Sequence, residues 1–282
     1  MMRFRTMEWE DIPFGLSLCR SAGWNQVARD WELFLALNKN GCRVCIDQES
    51  RITGTVTTLN YGDRFGWIGM LLVERSQQRK GIGQQLLKVA FEILRSLQTT
   101  KLDATPAGRN VYLKFGFVDE YPLTRLHAKV PLNTEWPPST ARPINADDMP
   151  RVTMLDEMVF GATRTLILEW MLAGAADLAF LVEENNELQG YCFGRRGFNF
   201  THIGPVIARD AQAAENLMRA VLGNCKGESV ILDVLHHTPA WQSWLSQAGF
   251  AVQRSFTRMY RGTNAWPGVP EQQFATLGPE FS

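Results

Sequence analysis

The chain has 282 residues, enough for two ordinary domains or one large one, and its 45% hydrophobic content can supply a sizeable core. Its 29 basic and 29 acidic residues cancel to a formal net charge of zero, which argues against nucleic-acid binding by bulk electrostatics. No apolar run of 18 residues could span a bilayer, and the opening MMRFRTMEWEDIPFG carries charges throughout instead of a signal-peptide core. The expectation is a cytoplasmic protein with neither nucleic-acid nor membrane partners.

In chain order, an opening strand leads to an early helical pair containing AGWNQVARDW. Three meandering strands follow in CRVCIDQESRITGTVTTLNYGDRFGWIGMLLV. The five cysteines are odd in number and scattered. Cys42-x-x-Cys45 has the spacing of a redox or zinc half-site, but no second pair lies at a matching interval. It reads as two thiols within a strand, and no metal is expected. Gly81 to Leu97 places Ile82, Leu86, Val89, Ala90, Ile93 and Leu97 on one helical stripe. KLDAT is a short buried strand, and Gly108 to Phe115 reads as a helix ending at Gly116, ahead of a final strand.

The pattern then repeats. LAFLVEENNELQGYCFGRRGFNFTHIGPVIA gives the same three strands, with Gly54 matching Gly190 and Gly69 matching Gly204 at offsets of 136 and 135. Asp103 in KLDAT matches Asp233 in ILDVL, and Gly116 in KFGF matches Gly249 in QAGF, at offsets of 130 and 133. Four ordered matches imply two domains of one fold. The division is an N-terminal domain over 1–132, a proline-rich linker over 133–142 and a C-terminal domain over 143–282. Strands alternating with helices around each meander give an α/β class, a mixed α+β sheet covered on both faces.

The chemistry concentrates after the strand Trp67–Val73, where Gln78, Arg79, Lys80, Gly81, Ile82 and Gly83 run into a helix. A helix N-terminus leaves its first N–H groups unpaired, glycine removes the Cβ that would block approach, and the basic pair adds charge. This is either a phosphate cradle or a glycine turn that only lets strand meet helix. It is neither GxxxxGK[ST] nor GxGxxG, because Leu86 stands at the third glycine position.

QRKGIG (Gln78–Gly83) resembles the Q/R-x-x-G-x-G/A signature of the GCN5-related N-acetyltransferases (GNAT). VYLKFGF (Val111–Phe117), about thirty residues on, is similar to that family's second motif. The whole chain resembles a tandem bacterial subgroup with a degenerate second domain. The resemblance implies acetyl-CoA as cosubstrate, with the backbone of Leu71, Leu72 and Val73 along the pantetheine arm. It also implies that the amides of Gln78, Arg79, Lys80, Gly81, Ile82, Gly83 and Gln84 meet the pyrophosphate. Tyr112 takes the place of the general acid. Thr105 stands where the family often has a cofactor-binding asparagine.

For an amine acceptor, which must lose a proton before attack, Glu74 and Asp63 are candidate bases and also plausible surface carboxylates. Trp24, Asn25, Asp30 and Trp31 are candidate acceptor contacts, or else helix packing. His202 and the His236–His237 pair read as structural or exposed.

ARDAQAAENLMRAVL in the second half lacks the basic cluster and both glycines, and Leu245 stands where Tyr112 does in the first. One acetyl-CoA site is therefore expected, with the C-terminal half shaping an acceptor pocket or an interface. The leading expectation is an acetyl-CoA-dependent N-acetyltransferase that modifies a small-molecule primary amine by direct attack in a ternary complex, with room for a homodimer. The alternative is a non-catalytic acyl-CoA sensor or scaffold.

Overall fold

The computed structural model describes residues 2–235 and 238–282. The His236–His237 pair lies outside the described residues. The first half runs β1 (Arg3–Thr6), α1 (Ile12–Ser21), α2 (Ala28–Asn38), β2 (Arg43–Ile46), β3 (Ile52–Tyr61), β4 (Phe65–Val73), α3 (Ile82–Ile93), β5 (Thr99–Ala104), α4 (Pro106–Leu113) and β6 (Val118–Lys129). The second half repeats that order. It comprises β7 (Arg142–Pro143), α5 (Met149–Phe160), α6 (Thr165–Gly174), β8 (Phe180–Glu184), β9 (Glu187–Arg196), β10 (Thr201–Ala208), α7 (Ala211–Gly223), β11 (Ser229–Leu235), α8 (Pro239–Gln247) and β12 (Ala251–Gly262). A short additional strand, β13 (Gln273–Ala275), has no counterpart in the first half.

Two helices differ slightly from their sequence limits. α3 stops at Ile93, and α4 begins at Pro106 because the Thr105 side chain caps it by accepting the Gly108 N–H at 3.2 Å. The cysteines are all free and buried. Cys42 sits one residue ahead of β2 instead of inside it, with its thiol pushed up to about 12 by burial.

The described strands form one mixed sheet in the order β1-β2-β3-β4-β5-β12-β6-β11-β10-β9-β8-β7. The two halves therefore exchange their last strands. β12 lies between β5 and β6, antiparallel to both, and β6 lies between β12 and β11. A cut in the 133–142 segment would leave each half without the strand that completes it.

A symmetric pair of buried ion pairs locks the exchange. Arg258 on β12 grips Asp103 on β5 at 2.8 and 2.9 Å, and Arg125 on β6 grips Asp233 on β11 at 2.7 and 2.6 Å. Both carboxylates are fully buried. Removing one partner from such a bidentate pair costs about 3–5 kcal/mol, because an unpaired charge stays behind.

On one sheet face α1, α2, α5 and α6 share a single core, whose members include Trp31, Phe34, Trp67, Val152, Leu168 and Phe281. On the other face the cores are separate. Ile82, Leu86, Leu87 and Ala90 of α3 pack on Val56, Ile68 and Leu102, while α7 and α8 cover the second half. The halves are thus joined both through the sheet and through one face.

Candidate functional site

The site begins at a break in β4. Between Gly69 and Leu72 that strand holds one residue more than β3 opposite it, and Met70 takes φ +47°. The extra residue reverses which parity faces the shared core, from Phe65 and Trp67 before the bulge to Met70 and Leu72 after it. Thr55 fixes the distortion by donating its hydroxyl to the Met70 carbonyl at 2.9 Å. β4 pairs with its parallel neighbour β5 only at Gly66–Thr100 and Trp67–Lys101, after which the two strands part.

A cavity of about 100 Å³ lies at this opening. Its walls are the bulge from Ile68 to Leu71, residues Leu102, Asp103 and Thr105 at the end of β5, Tyr112 of α4, and Trp24–Gln26 between α1 and α2. The second half supplies Arg254, Phe256, Pro279 and Glu280. Beyond the bulge, α3 starts with Gly81 as its N-cap at φ +83°, a left-handed conformation that suits glycine. The turn 78–81 is exposed, and the first α3 amides have no partner within the helix. Lys80 Nζ rests on Gln77 Oε1 at 3.0 Å, and the Gln78 side chain donates to the Val73 carbonyl at 3.2 Å.

Gly83 is informative because the fold does not require it. A Cβ there would meet only Val73 Cγ2, at an ordinary 3.6 Å, and its φ is not left-handed. Opened strands, a bulge and an uncrowded glycine at a basic helix N-terminus fit an elongated diphosphate-bearing cosubstrate such as acyl-CoA.

The sequence candidates divide. Leu71, Thr105, Tyr112, Trp24 and Asn25 line the cavity. Leu72 points into the shared core, and Val73 packs on the α3 side. Tyr112 is half-buried against Phe117, and burial pushes its phenol up to about 12. Thr105 spends its hydroxyl oxygen on the α4 cap, which explains a threonine there independently of any ligand.

The Asn25 side chain is also engaged. It donates to the Phe200 carbonyl at 3.0 Å and accepts the Asn199 and Phe200 N–H groups, so it ties the β9–β10 turn to the first half. Asp30 and Trp31 do not line the cavity. Asp30 accepts from the Val27 N–H and from Arg195 Nη1 at 2.6 and 2.7 Å, and Trp31 is fully buried in the shared core. Glu74 also stands outside the cavity lining, with its N–H on the Thr53 carbonyl at 2.9 Å. Asp63 is likewise outside the lining, in the β3–β4 turn.

Among the polar lining residues, Gln26, Arg125, Arg254 and Glu280 went unread in the sequence. All but Gln26 reach the cavity through the strand exchange or the final segment, which no local pattern announces. Glu280 shares the Arg195 guanidinium with Asp30, and although burial opposes its charge, Arg195 holds its carboxyl below the usual range. His202 is buried. Its Nδ1 lies 3.4 Å from Arg195, which can only donate, so the ring proton sits on Nε2 towards Asp233.

The second half repeats the opening and then closes it. β10 carries the equivalent irregularity between Ile203 and Val206 and pairs with β11 only at Thr201–Val230 and His202–Ile231. β13 enters the gap, paired to β10 through Val206–Ala275 and Ile207–Gln273, while the Thr276 N–H bonds the Asp233 carbonyl at 2.8 Å. At the head of α7 the Asp210 carboxylate accepts the Ala213 N–H at 2.9 Å, putting a negative charge where the first half has Gly81. The matched glycines acquire a reason here. A Cβ on Gly69 would meet the Glu280 carbonyl at 2.8 Å, and one on Gly204 would overlap the Thr276 carbonyl.

The opened β4–β5 pair, the bulge and the glycine turn are the features of an acyltransferase fold. The model of the Acetyltransferase (GNAT) family matches residues 4–117, and that of an Acetyltransferase (GNAT) domain matches residues 152–275. The chain belongs to the GNAT acetyltransferases as a tandem-domain member. A holothin acyltransferase from Pseudoalteromonas sp. (strain SANK 73390) is 25% identical over 242 residues, covering 85% of this chain and 81% of that protein. A putative acetyltransferase from Pyrococcus horikoshii has the same fold with a TM-score of 0.82, at 22% identity over 99% of this chain and 95% of that one. A tandem GNAT protein from the clavulanic acid biosynthesis pathway aligns with a TM-score of 0.63 at 13% identity, over 93% and 98% of the two chains.

Proposed function

We propose that this chain transfers an acetyl group from acetyl-CoA to a primary amine of a small molecule, by direct attack in a ternary complex at the first-half cavity. The observation that carries the reading is the asymmetry between the halves. Both open their central strands, but only the first keeps the opening free, with a tyrosine in its lining and a basic glycine turn following the same strand β4. The acyl transfer named for the Pseudoalteromonas relative supports the same chemistry.

The cosubstrate supplies an activated thioester. The amides of residues 78–84 with Arg79 and Lys80 would hold its diphosphate, and the open edge of β4 along Leu71–Val73 would receive the pantetheine amides. The amine nitrogen forms the new C–N bond as the C–S bond breaks, and the proton it sheds balances the one the sulfur gains. Tyr112 stays protonated across the neutral range because burial raises its pKa. Full transfer from a phenol near 12 to a thiolate of ordinary pKa, roughly 8.5, is uphill. Tyr112 therefore works as a hydrogen-bond donor to the sulfur as charge develops, and ends neutral.

A panel of small primary amines assayed for free CoA release with acetyl-CoA tests the reading. Amine-dependent release supports it, and an unresponsive enzyme that still binds acetyl-CoA would favour a sensor.

A further inference from the structure

The cavity lining holds two residues with a buried polar atom that has no hydrogen-bond partner among the described residues. Gln26 is 6% exposed, its Oε1 is buried without a hydrogen bond, and its amide supports the Glu280 charge. Across the cavity, Arg254 Nε is buried without a hydrogen bond, and Arg254 makes no ion pair among the described residues. The other charges around the cavity are matched differently. Asp103 is paired with Arg258 and Arg125 with Asp233, while Glu280 and Asp30 share Arg195. Glu280 therefore stands beside Gln26 in the lining with its charge already engaged by Arg195, while Arg254 is a lining cation without an ion pair among the described residues. Burial and the neighbouring Arg125 push the Arg254 guanidinium down to about 10, as befits a cation lacking its counter-ion.

A buried donor left unsatisfied is costly, and an arginine is matched best by a planar carboxylate. Arg254 Cζ lies 4.9 Å from the centroid of the Phe256 ring, a cation–π contact that holds it at the cavity wall. A cavity of about 100 Å³ admits only a small acceptor between Gln26 and Arg254.

Resting on the acyltransfer reading of this cavity, we propose that the acceptor is a small amino acid. Its carboxylate would sit on Arg254, and its amine on Gln26 Oε1 beside Glu280. Gln26 and Arg254 are specificity residues in this scheme, and the exchanged strand β12 is how the second half contributes to the reaction.

The test pairs each common amino acid, with β-alanine and 4-aminobutyrate, against its carboxamide. Each pair is assayed for acetyl-CoA-dependent CoA release and titrated calorimetrically into CoA-saturated protein. One or more acids should be preferred over their amides by at least ~30-fold in kcat/KM, the discrimination available from a charge-assisted bond. Arg254→Gln should abolish that preference through KM, and Arg254→Lys should restore part of it, with acetyl-CoA affinity unchanged in both variants. Turnover of amides alone, equal use of both members, or turnover of neither overturns the proposal. A protein that fails to bind acetyl-CoA defeats the acyltransfer reading as well, so the two failures are separable.

Discussion

Gly83→Ala separates a residue needed by the fold from one needed by a ligand. Gly83 is the second residue of α3, with no left-handed φ, and an added Cβ would make only a normal contact with Val73. Alanine gains about 0.5–1 kcal/mol over glycine in a helix. For a chain of this size the melting temperature should rise by ~1–4 °C, since 1 kcal/mol corresponds to roughly 2–4 °C. The same methyl group intrudes on the approach of a diphosphate to the helix amides. Loss of one charge-assisted hydrogen bond should weaken acetyl-CoA binding by about 10- to 100-fold. Differential scanning fluorimetry and calorimetric titration read the two effects on one sample. A stabilised variant with unchanged acetyl-CoA affinity would refute the cradle, and a destabilised one would refute the packing argument.

Tyr112→Phe should lower kcat by about 10- to 100-fold with acetyl-CoA affinity preserved, the range for a positioned hydrogen-bond donor; an unchanged rate would remove that role. Because burial holds the phenol near 12, the wild-type kcat/KM should rise as the amine deprotonates and stay level to pH 10. A falling limb below pH 10 would show that a more acidic group serves the sulfur. Residues 1–132 and 143–282 expressed separately should fail to give cooperative unfolding transitions, and mixing them should restore one, because each lacks the other's final strand. Independent cooperative folding of either fragment would contradict the exchange.

Much of the fold lay open in the sequence because its signals are local. The stripe from Ile82 to Ala90 had to face a sheet, and the four matched positions had to mean a repeat. The turn at Gly81 was visible as glycines beside basic residues at a helix start, and only the resemblance to a family turned that ambiguous turn into an expected cradle. The exchange was not visible, although a trace exists: LTRL at Leu123–Leu126 and FTRM at Phe256–Met259 share the offset of 133 that relates the two GF motifs. Each repeat thus carries a buried aspartate and an arginine. Sequence cannot say that Arg125 crosses to Asp233 while Arg258 crosses to Asp103, since the two pairings satisfy the same charges.

Sequence could not sort Asp30 and Trp31, which the structure buries away from the cavity lining, because acidic and aromatic residues near a site look alike whether they face a ligand or the core. The closing of the second cleft was half legible, in the missing glycines. The strand that closes it, Gln273–Ala275, is too short to announce its partner.

The most direct measurement is the stoichiometry of acetyl-CoA binding to the intact chain by isothermal titration calorimetry. One cleft is open and the other is occupied by β13 and faced by Asp210. The account predicts a single site per chain, weakened by Gly83→Ala. Two equivalent sites, or no binding, would contradict it.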